Sequence, residues 1–202
     1  MEGRFEIRIA GSGGQGVIVA TELIGMAAAL YEKDLYVVQS QAYGPEARGG
    51  KSKAEVVISK EAIDYPKVIS PRLQVILTQP AADEYAPDTM PGGRIVYDDF
   101  FVTSIPGLSG DCGVENNEHT TSANAYYLPI VRTAREKIGK EIVTNMVALG
   151  AAGRVLELEN VMSPDSLRKA VIHHFTDKKI ADLNIQAFNE GYALFKESVW
   201  LK

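Results

Sequence analysis

Residues 5–31, FEIRIAGSGGQGVIVATELIGMAAALY, are the clearest indication of the fold class of this chain. Its first six residues alternate apolar and polar side chains, which is the pattern of a half-buried β-strand. A run of glycines follows at once. From Val17 to Tyr31 the residues are helix formers and nearly all apolar, as in a helix that packs against a sheet and leaves an apolar side for a second surface. The stretch therefore predicts a strand, a glycine turn and a buried helix.

The chain beyond this stretch continues the same alternation of strands and helices. Residues 35–39 predict a second strand, and because crossover connections are right-handed we expect it to run parallel to the first. Further strands are predicted at residues 53–58, 74–77 and 94–97, and helices at residues 131–138, 142–156, from 163 onward and at 177–198. Residues 40–51 and 100–121 are rich in Gly and Pro and are predicted as loops.

These elements predict an α/β fold, with a Rossmann-like, mostly parallel sheet flanked by helices and a helical C-terminal part. The chain has 202 residues, 46% of them hydrophobic, and no repeat, so we expect a single domain over residues 1–202. The net charge of -5 argues against nucleic acid or an anionic membrane as a partner. No apolar run reaches the roughly 18 residues of a membrane span, and we expect a cytoplasmic protein.

The glycine turn is the first candidate site. Gly11, Gly13 and Gly16 have the spacing of a dinucleotide fingerprint, in which N–H groups at a helix N-terminus approach a phosphate. The alternative is a tight strand-to-helix turn without a ligand. An NAD site also needs an acidic residue at the end of the second strand, where this chain has the residues QSQ at 39–41. The sequence therefore argues against an autonomous NAD site.

The second candidate site is the loop YGPEARGG at residues 43–50. Loops at the ends of strands are where α/β proteins place ligand contacts. Arg48 can fork onto a phosphate or carboxylate, with Lys51 or Lys53 adding charge. The alternative is that Glu46 and Arg48 pair simply to hold the loop in shape.

Other reactive side chains have simpler interpretations. The pair Asp98-Asp99 follows a strand, where a cap or turn role is the alternative to Mg²⁺ binding. His173 and His174 are neighbours on a helix, so their side chains diverge and do not share a metal. Cys112 is the only cysteine, has no basic partner nearby in sequence, and cannot by itself supply the thiolates of an iron–sulfur cluster.

Five segments together resemble one known family. IAGSGGQGV at residues 9–17, QAYGPEARGG at 41–50 and KAEVVIS at 53–59 resemble the gamma subunit of 2-oxoacid:ferredoxin oxidoreductases. NMVALG at 145–150 and LNIQAFNEGY at 183–192 are similar to that family's C-terminal segments. The form YGPEARGG looks more like the 2-oxoglutarate or branched-chain type than the pyruvate type, and we favour 2-oxoglutarate. Ala42 departs from the small polar residue expected there.

The resemblance implies a function shared among several subunits. Such complexes decarboxylate a 2-oxoacid oxidatively to acyl-CoA and CO2 and reduce ferredoxin. Thiamine diphosphate, Mg²⁺ and the iron–sulfur clusters are then expected in the partner alpha, beta and delta subunits, with CoA as co-substrate. This chain would contribute to assembly and to enclosing CoA or the active site.

No catalytic residue or metal site is assigned to this chain. The predicted cofactor-binding residues are Gly11, Ser12, Gly13, Gly14, Gln15, Gly16, Tyr43, Arg48, Gly49 and Gly50. Two alternatives stay open, a freestanding nucleotide-binding or sensing module and an autonomous NAD or flavin reductase, although the missing acid argues against the second.

Overall fold

The fold is built on one six-stranded sheet. The computed structural model describes residues 3–43, 51–107 and 123–197. The strands are β1 (Arg4–Ser12), β2 (Tyr36–Tyr43), β3 (Lys51–Ser59), β4 (Leu73–Ile76), β5 (Arg94–Asp98) and β6 (Asn124–Leu128), in the spatial order β2-β3-β1-β4-β5-β6. Strands β1, β4, β5 and β6 are parallel neighbours, while β3 is antiparallel to both β1 and β2. The predicted mostly parallel α/β fold is confirmed.

The position of β3 corrects the expected arrangement of the first two strands. β1 and β2 do run in the same direction, but β3 lies between them and pairs with both. The predicted loop at 40–51 is also too long, because β2 extends to Tyr43 and β3 begins at Lys51. The reason is tertiary: pairing with β3 holds the polar end of β2 in an extended conformation that its composition alone does not indicate.

Helices account for most of the remaining described residues. They are α1 (Val17–Tyr31), α2 (Gln79–Tyr85), α3 (Ile130–Arg132), α4 (Thr144–Leu158), α5 (Pro164–His174) and α6 (Lys178–Glu197), and α3 continues into a wider π-type segment at Thr133–Ile138. The predicted helices are therefore present, whereas α2 and β6 were not predicted. Among the described helices, none is long and apolar enough to cross a membrane.

The two faces of the sheet are covered differently. One face carries the large core, in which Ile7 and Ile9 of β1 meet apolar residues of α1, α4, α5 and α6. The other face carries a smaller core, in which Ala10 and Ile76 pack with Ala81 of α2. Because successive strand residues point to opposite faces, Ile9 and Ala10 belong to different cores. Helices α1 and α2 therefore lie on opposite faces of the sheet.

Helices α4 and α6 cross at backbone contact. A Cβ atom on Gly150 would lie 2.0 Å from the carbonyl oxygen of Phe188, and one on Gly191 would lie 1.9 Å from the carbonyl oxygen of Val147. Each helix thus presents a glycine to the backbone of the other. This close crossing holds α6 against the large core.

Candidate functional site

The glycine turn joins the end of β1 to the start of α1. β1 ends at Ser12, and α1 begins at Val17 behind Gly16, which is left-handed with φ of 70°. Gly14 also has a positive φ, 94°. These conformations are costly for any residue with a Cβ atom, so the backbone itself requires glycine at both positions.

The side chain of Gln15 is used to shape the turn. Its Oε1 accepts a hydrogen bond from the backbone N–H of Ser12 at 2.7 Å, and the backbone N–H of Gln15 donates to the carbonyl of Ser12 at 3.1 Å. A Cβ atom on Gly11 would come within 2.4 Å of that same Oε1. Glycine at position 11 therefore makes room for the Gln15 side chain, which braces the turn from inside.

Asn145 at the start of α4 holds the other end of the turn. Its Nδ2 donates to the carbonyl of Gly16 at 3.3 Å, and a Cβ atom on Gly16 would lie only 2.5 Å from that nitrogen. Asn145 belongs to one of the segments that carried the family resemblance, but no role was predicted for it. The helix pattern places it near an N-terminus, and only the packing of α4 on the sheet brings it to Gly16.

Donor groups remain available in the turn. Within the described residues, no hydrogen bond uses the N–H of Gly13, Gly14 or Gly16. They lie at the N-terminus of the 15-residue helix α1, whose first turn contains no acidic residue. The helix dipole and unpaired N–H groups both favour an anion at such a position. The turn can therefore bind a phosphate or carboxylate.

The second predicted loop starts from the same edge of the sheet. In the β-ladders Ser12 lies opposite Lys51, and Tyr43 lies opposite Ser52, so both connections leave at the carboxyl ends of the parallel strands. Of the predicted contacts in this loop, Arg48, Gly49 and Gly50 lie outside the described residues, as does the side chain of Tyr43.

The edge also contains the switch point of the fold. β1 is followed by α1 on one face, and its parallel neighbour β4 is followed by α2 on the other face. In open α/β sheets a ligand binds in the crevice that opens where neighbouring strands lead to opposite faces. Thr78, two residues beyond the end of β4, has a buried hydroxyl oxygen without a hydrogen-bond partner among the described residues. Thr78 was not predicted as a site residue, because a threonine before a short helix carries no distinctive signal in the sequence.

A buried charge cluster supports the crevice from the α2 side. Nε of Arg8, a residue only 2% exposed, donates to Glu55 at 2.7 Å, and its guanidinium lies 5.3 Å from the ring centre of Tyr85. Burial and a hydrogen bond with Glu84 raise the pKa of Tyr85 to about 12. Lys51 pairs with Glu84 and so ties the start of β3 to α2. Arg8 is neutralised by these contacts, and its role is structural.

The chain is similar to known proteins over nearly its whole length. A family model described as pyruvate ferredoxin/flavodoxin oxidoreductase matches residues 6–194. The chain belongs to this family. The predicted resemblance to its gamma subunits is confirmed.

Relatives of the pyruvate ferredoxin/flavodoxin oxidoreductase family match over nearly the whole chain. The 2-oxoglutarate synthase subunit KorC of Methanocaldococcus jannaschii is 42% identical over 194 residues, which are 96% of this chain and 95% of KorC. The crystal structure of the gamma subunit of keto/oxoacid ferredoxin oxidoreductase from Geobacter sulfurreducens PCA superposes with a TM-score of 0.80 and 35% identity, covering 96% of this chain and 98% of that chain.

A second solved structure places the same fold inside a longer polypeptide. The 2-oxoglutarate:ferredoxin oxidoreductase from Magnetococcus marinus, with 2-oxoglutarate, coenzyme A and succinyl-CoA bound, gives a TM-score of 0.77 and 26% identity. The match covers 100% of this chain and 32% of that chain. In that family member the fold is thus one part of a larger chain.

The acidic pair of this oxidoreductase-family chain is a structural element. Asp98 accepts the N–H groups of Phe100 and Phe101, each at 3.0 Å, and that of Val131 at 2.8 Å. Asp99 pairs with Arg132 at 2.7 Å, while burial outweighs this attraction and raises the pKa of Asp99. Asp98 therefore caps the following backbone and Asp99 forms an ion pair, which agrees with the predicted cap or turn role.

The remaining candidates lie away from the turn or outside the described residues. Nδ1 of His173 is 2.8 Å from the hydroxyl of Tyr31, and the ring of His174 contacts Phe175. Cys112 lies outside the described residues. Across the described ranges, no cluster of three or more His, Cys, Asp or Glu side chains could hold a metal ion.

Proposed function

We propose that this chain is the gamma subunit of a multisubunit 2-oxoacid:ferredoxin oxidoreductase that acts on 2-oxoglutarate. The complex converts the 2-oxoacid to acyl-CoA and CO2 and reduces ferredoxin. Support comes from the 42% identity to a 2-oxoglutarate synthase subunit and from the segment YGPEARGG at residues 43–50. Residues 1–202 form one domain of the complex, and its partners are alpha, beta and delta subunits with ferredoxin as acceptor. The cytoplasm stays the predicted location.

The observation that carries the role of this chain is the set of N–H groups at Gly13, Gly14 and Gly16, which no acceptor among the described residues uses. CoA is a polyanion, and its phosphates match donors at the N-terminus of a helix. The crevice between β1 and β4 lies beside this turn. We assign to the chain the binding and orientation of CoA at this edge, where it forms one wall of a site shared with partner subunits.

The electron-transfer groups do not fit the residues of this chain. An iron–sulfur cluster takes several thiolates, and the chain has only Cys112. Thiamine diphosphate with Mg²⁺ and the clusters supply decarboxylation and one-electron transfer, and we assign all of them to partner subunits. The bracing by Gln15 and Asn145 then has a clear purpose, because a rigid turn positions a substrate without further loss of entropy.

The function is tested on the complex from its native host. Affinity purification of the tagged chain is expected to recover a thiamine-binding chain and a cluster-bearing chain, with CoA-dependent reduction of a low-potential acceptor that is fastest with 2-oxoglutarate. Recovery of the chain alone, with no such activity under gentle conditions, would instead support a freestanding nucleotide-binding module. Faster reduction with another 2-oxoacid would change the assigned substrate and leave the assignment to the complex in place.

The site is tested separately by Ser12→Asp, with Ser12→Asn as the control of equal size. A carboxylate at the turn competes with an anionic ligand for the same N–H groups, so the KM for CoA should rise by about tenfold or more while kcat changes little. The asparagine variant should keep a KM within about twofold of wild type, since it adds no charge. Equal KM values in the two assembled variants would remove the turn from the CoA site.

A further inference from the structure

The outer edge of β2 is open for pairing. β2 lies at the end of the sheet and bonds only to β3, and within the described residues no other segment pairs with it. Its eight residues, YVVQSQAY, contain no charged residue and no proline. Natural edge strands are usually protected by charges, prolines, bulges or short length. An edge this long without those features is suited to bind another strand.

Helix α1 extends this open edge with a stripe that is apolar except for Glu22. Ile18, Glu22, Met26 and Leu30 are spaced four residues apart and therefore share one side of the helix. None of the four is buried, and Leu30 is 57% exposed. Glu22 is the only charged residue of α1. Ile18 and Met26 also pack partly against the large core, so the surface of α1 that is left to cover is the exposed part of this stripe.

The stripe and the strand edge form one surface. A Cβ atom on Gly25 of α1 would be 3.8 Å from Val37 and 3.9 Å from Gln39, so α1 lies directly over β2. Glu22 and Met26 lie about 60° and 100° around the helix from Gly25, on the adjoining side. Tyr36, at the start of β2, is 54% exposed. We call the open edge of β2 together with this outer stripe of α1 the β2–α1 surface.

We propose that the β2–α1 surface binds a second copy of this chain through antiparallel pairing of the two β2 strands. Such pairing places a two-fold axis perpendicular to the sheet, so both α1 helices come to lie on the same side of a continuous sheet. The apolar stripes then face each other across the axis. The same two-fold axis thus pairs the free backbone groups of both β2 edges and covers the stripes of both α1 helices.

The uncharged edge of β2 favours a copy as the occupant. Like charges opposite each other destabilise a strand pair, and β2 has no charged residue in any register. The surface needs a partner that offers an uncharged strand beside a helix that is apolar except for one carboxylate, and the chain itself carries that combination. This inference concerns self-association of the chain and stands independently of its assignment to an oxidoreductase complex.

The test uses the full-length chain and the variant Ser40→Lys. Ser40 is only partly buried and lies opposite Glu55 in the β2–β3 register, so a lysine there has a carboxylate neighbour within its own chain. Between two copies, however, it places like charges across the axis. Sedimentation velocity from low to high micromolar concentration is expected to show a dimer for wild type and a dissociation constant raised about tenfold or more for the variant.

Two controls make the result decisive. Asn124→Lys adds the same charge to β6, the opposite edge of the sheet, and should leave the dissociation constant unchanged. Hydrogen exchange of residues 36–41 should slow in wild type as the concentration rises through the dimerisation range, and should stay fast in Ser40→Lys. A wild-type chain that is monomeric throughout, or a dimer equally sensitive to both lysines or to neither, would overturn the proposal.

Discussion

At the scale of single residues, the glycine turn shows how a short motif combines conformation and packing. Gly14 and Gly16 are required by their positive φ angles, whereas Gly11 is required by the space that the Gln15 side chain fills. Glycine is therefore required within this one motif for two different physical reasons, backbone conformation and side-chain space. The spacing of the motif was visible in the sequence, but the lack of space for a side chain at Gly16 is due to Asn145, which is 129 residues away in the chain.

The substitution Gly16→Ala separates these two effects. It should destabilise the chain by about 2–4 kcal/mol, because a left-handed backbone penalty adds to a clash with Asn145. The methyl of Gly14→Ala meets no atom of the described residues within 4 Å, so this variant should lose only about 1–2 kcal/mol of stability, the backbone penalty. Urea unfolding measures both values.

The double variant Gly16→Ala/Asn145→Ala serves as the control for the clash. Removing the Asn145 amide should recover part of the loss, so the two single effects will not add. Full additivity would show that Asn145 does not restrict position 16.

At the scale of elements, the close crossing of α4 and α6 depends on glycines that helix propensity disfavours. Glycine within a helix costs about 1 kcal/mol relative to alanine, so sequence alone makes Gly150 and Gly191 look like weak points. Their packing explains them, since each meets backbone atoms of the other helix. The helices themselves were predictable from their apolar periodicity. Helix α2 was missed because its seven residues are too few to show a period.

Gly191→Ala tests the crossing. The added methyl has no space beside the carbonyl of Val147, so the variant should lose about 2–4 kcal/mol of unfolding free energy despite its better helix propensity. Gly25→Ala in α1 is the matched control, because its nearest neighbours are at ordinary contact distance. That variant should be neutral or up to about 1 kcal/mol more stable. Thermal and urea unfolding compare them, and an equal effect at the two positions would contradict the backbone contact.

At the scale of the whole molecule, the two ends of the parallel strands have different tasks. The carboxyl ends carry the glycine turn and the crevice, while the amino ends are tied to α4 by Glu159. This carboxylate accepts a hydrogen bond from Arg72 at 2.9 Å and one from Arg94 at 2.5 Å, next to the starts of β4 and β5. Burial alone would raise the pKa of Glu159, but the two guanidinium groups outweigh it and leave the pKa below its ordinary value.

Glu159→Gln should therefore reduce stability in a pH-dependent way. At neutral pH the loss is expected to be about 1–3 kcal/mol, the range for hydrogen bonds to a charged group. Because the folded pKa is lowered, the contribution of Glu159 is complete above the unfolded pKa of about 4.3 and is lost as the pH falls through the folded value. Urea unfolding should accordingly show wild type and variant converging as the pH drops below about 4.

The control for this prediction is Glu141→Gln. Glu141 also pairs with an arginine, Arg135, but its side chain is 56% exposed, and solvent screens such a pair. Its substitution should change stability little at any pH. A constant difference between wild type and Glu159→Gln across the pH range would rule out ionisation of Glu159 as the cause.

Local sequence patterns were enough to predict the α/β class, the strand–glycine turn–helix opening, the long helices and the family, because alternation, periodicity and short motifs are local properties. The other features of the fold depend on tertiary contacts. Such contacts place β3 between β1 and β2, extend β2 to Tyr43, and bring Asn145 to Gly16 and Lys51 beside Ser12. These are contacts between residues far apart in the chain, whose free energy depends on how strands and helices pack together, and no local pattern encodes that arrangement.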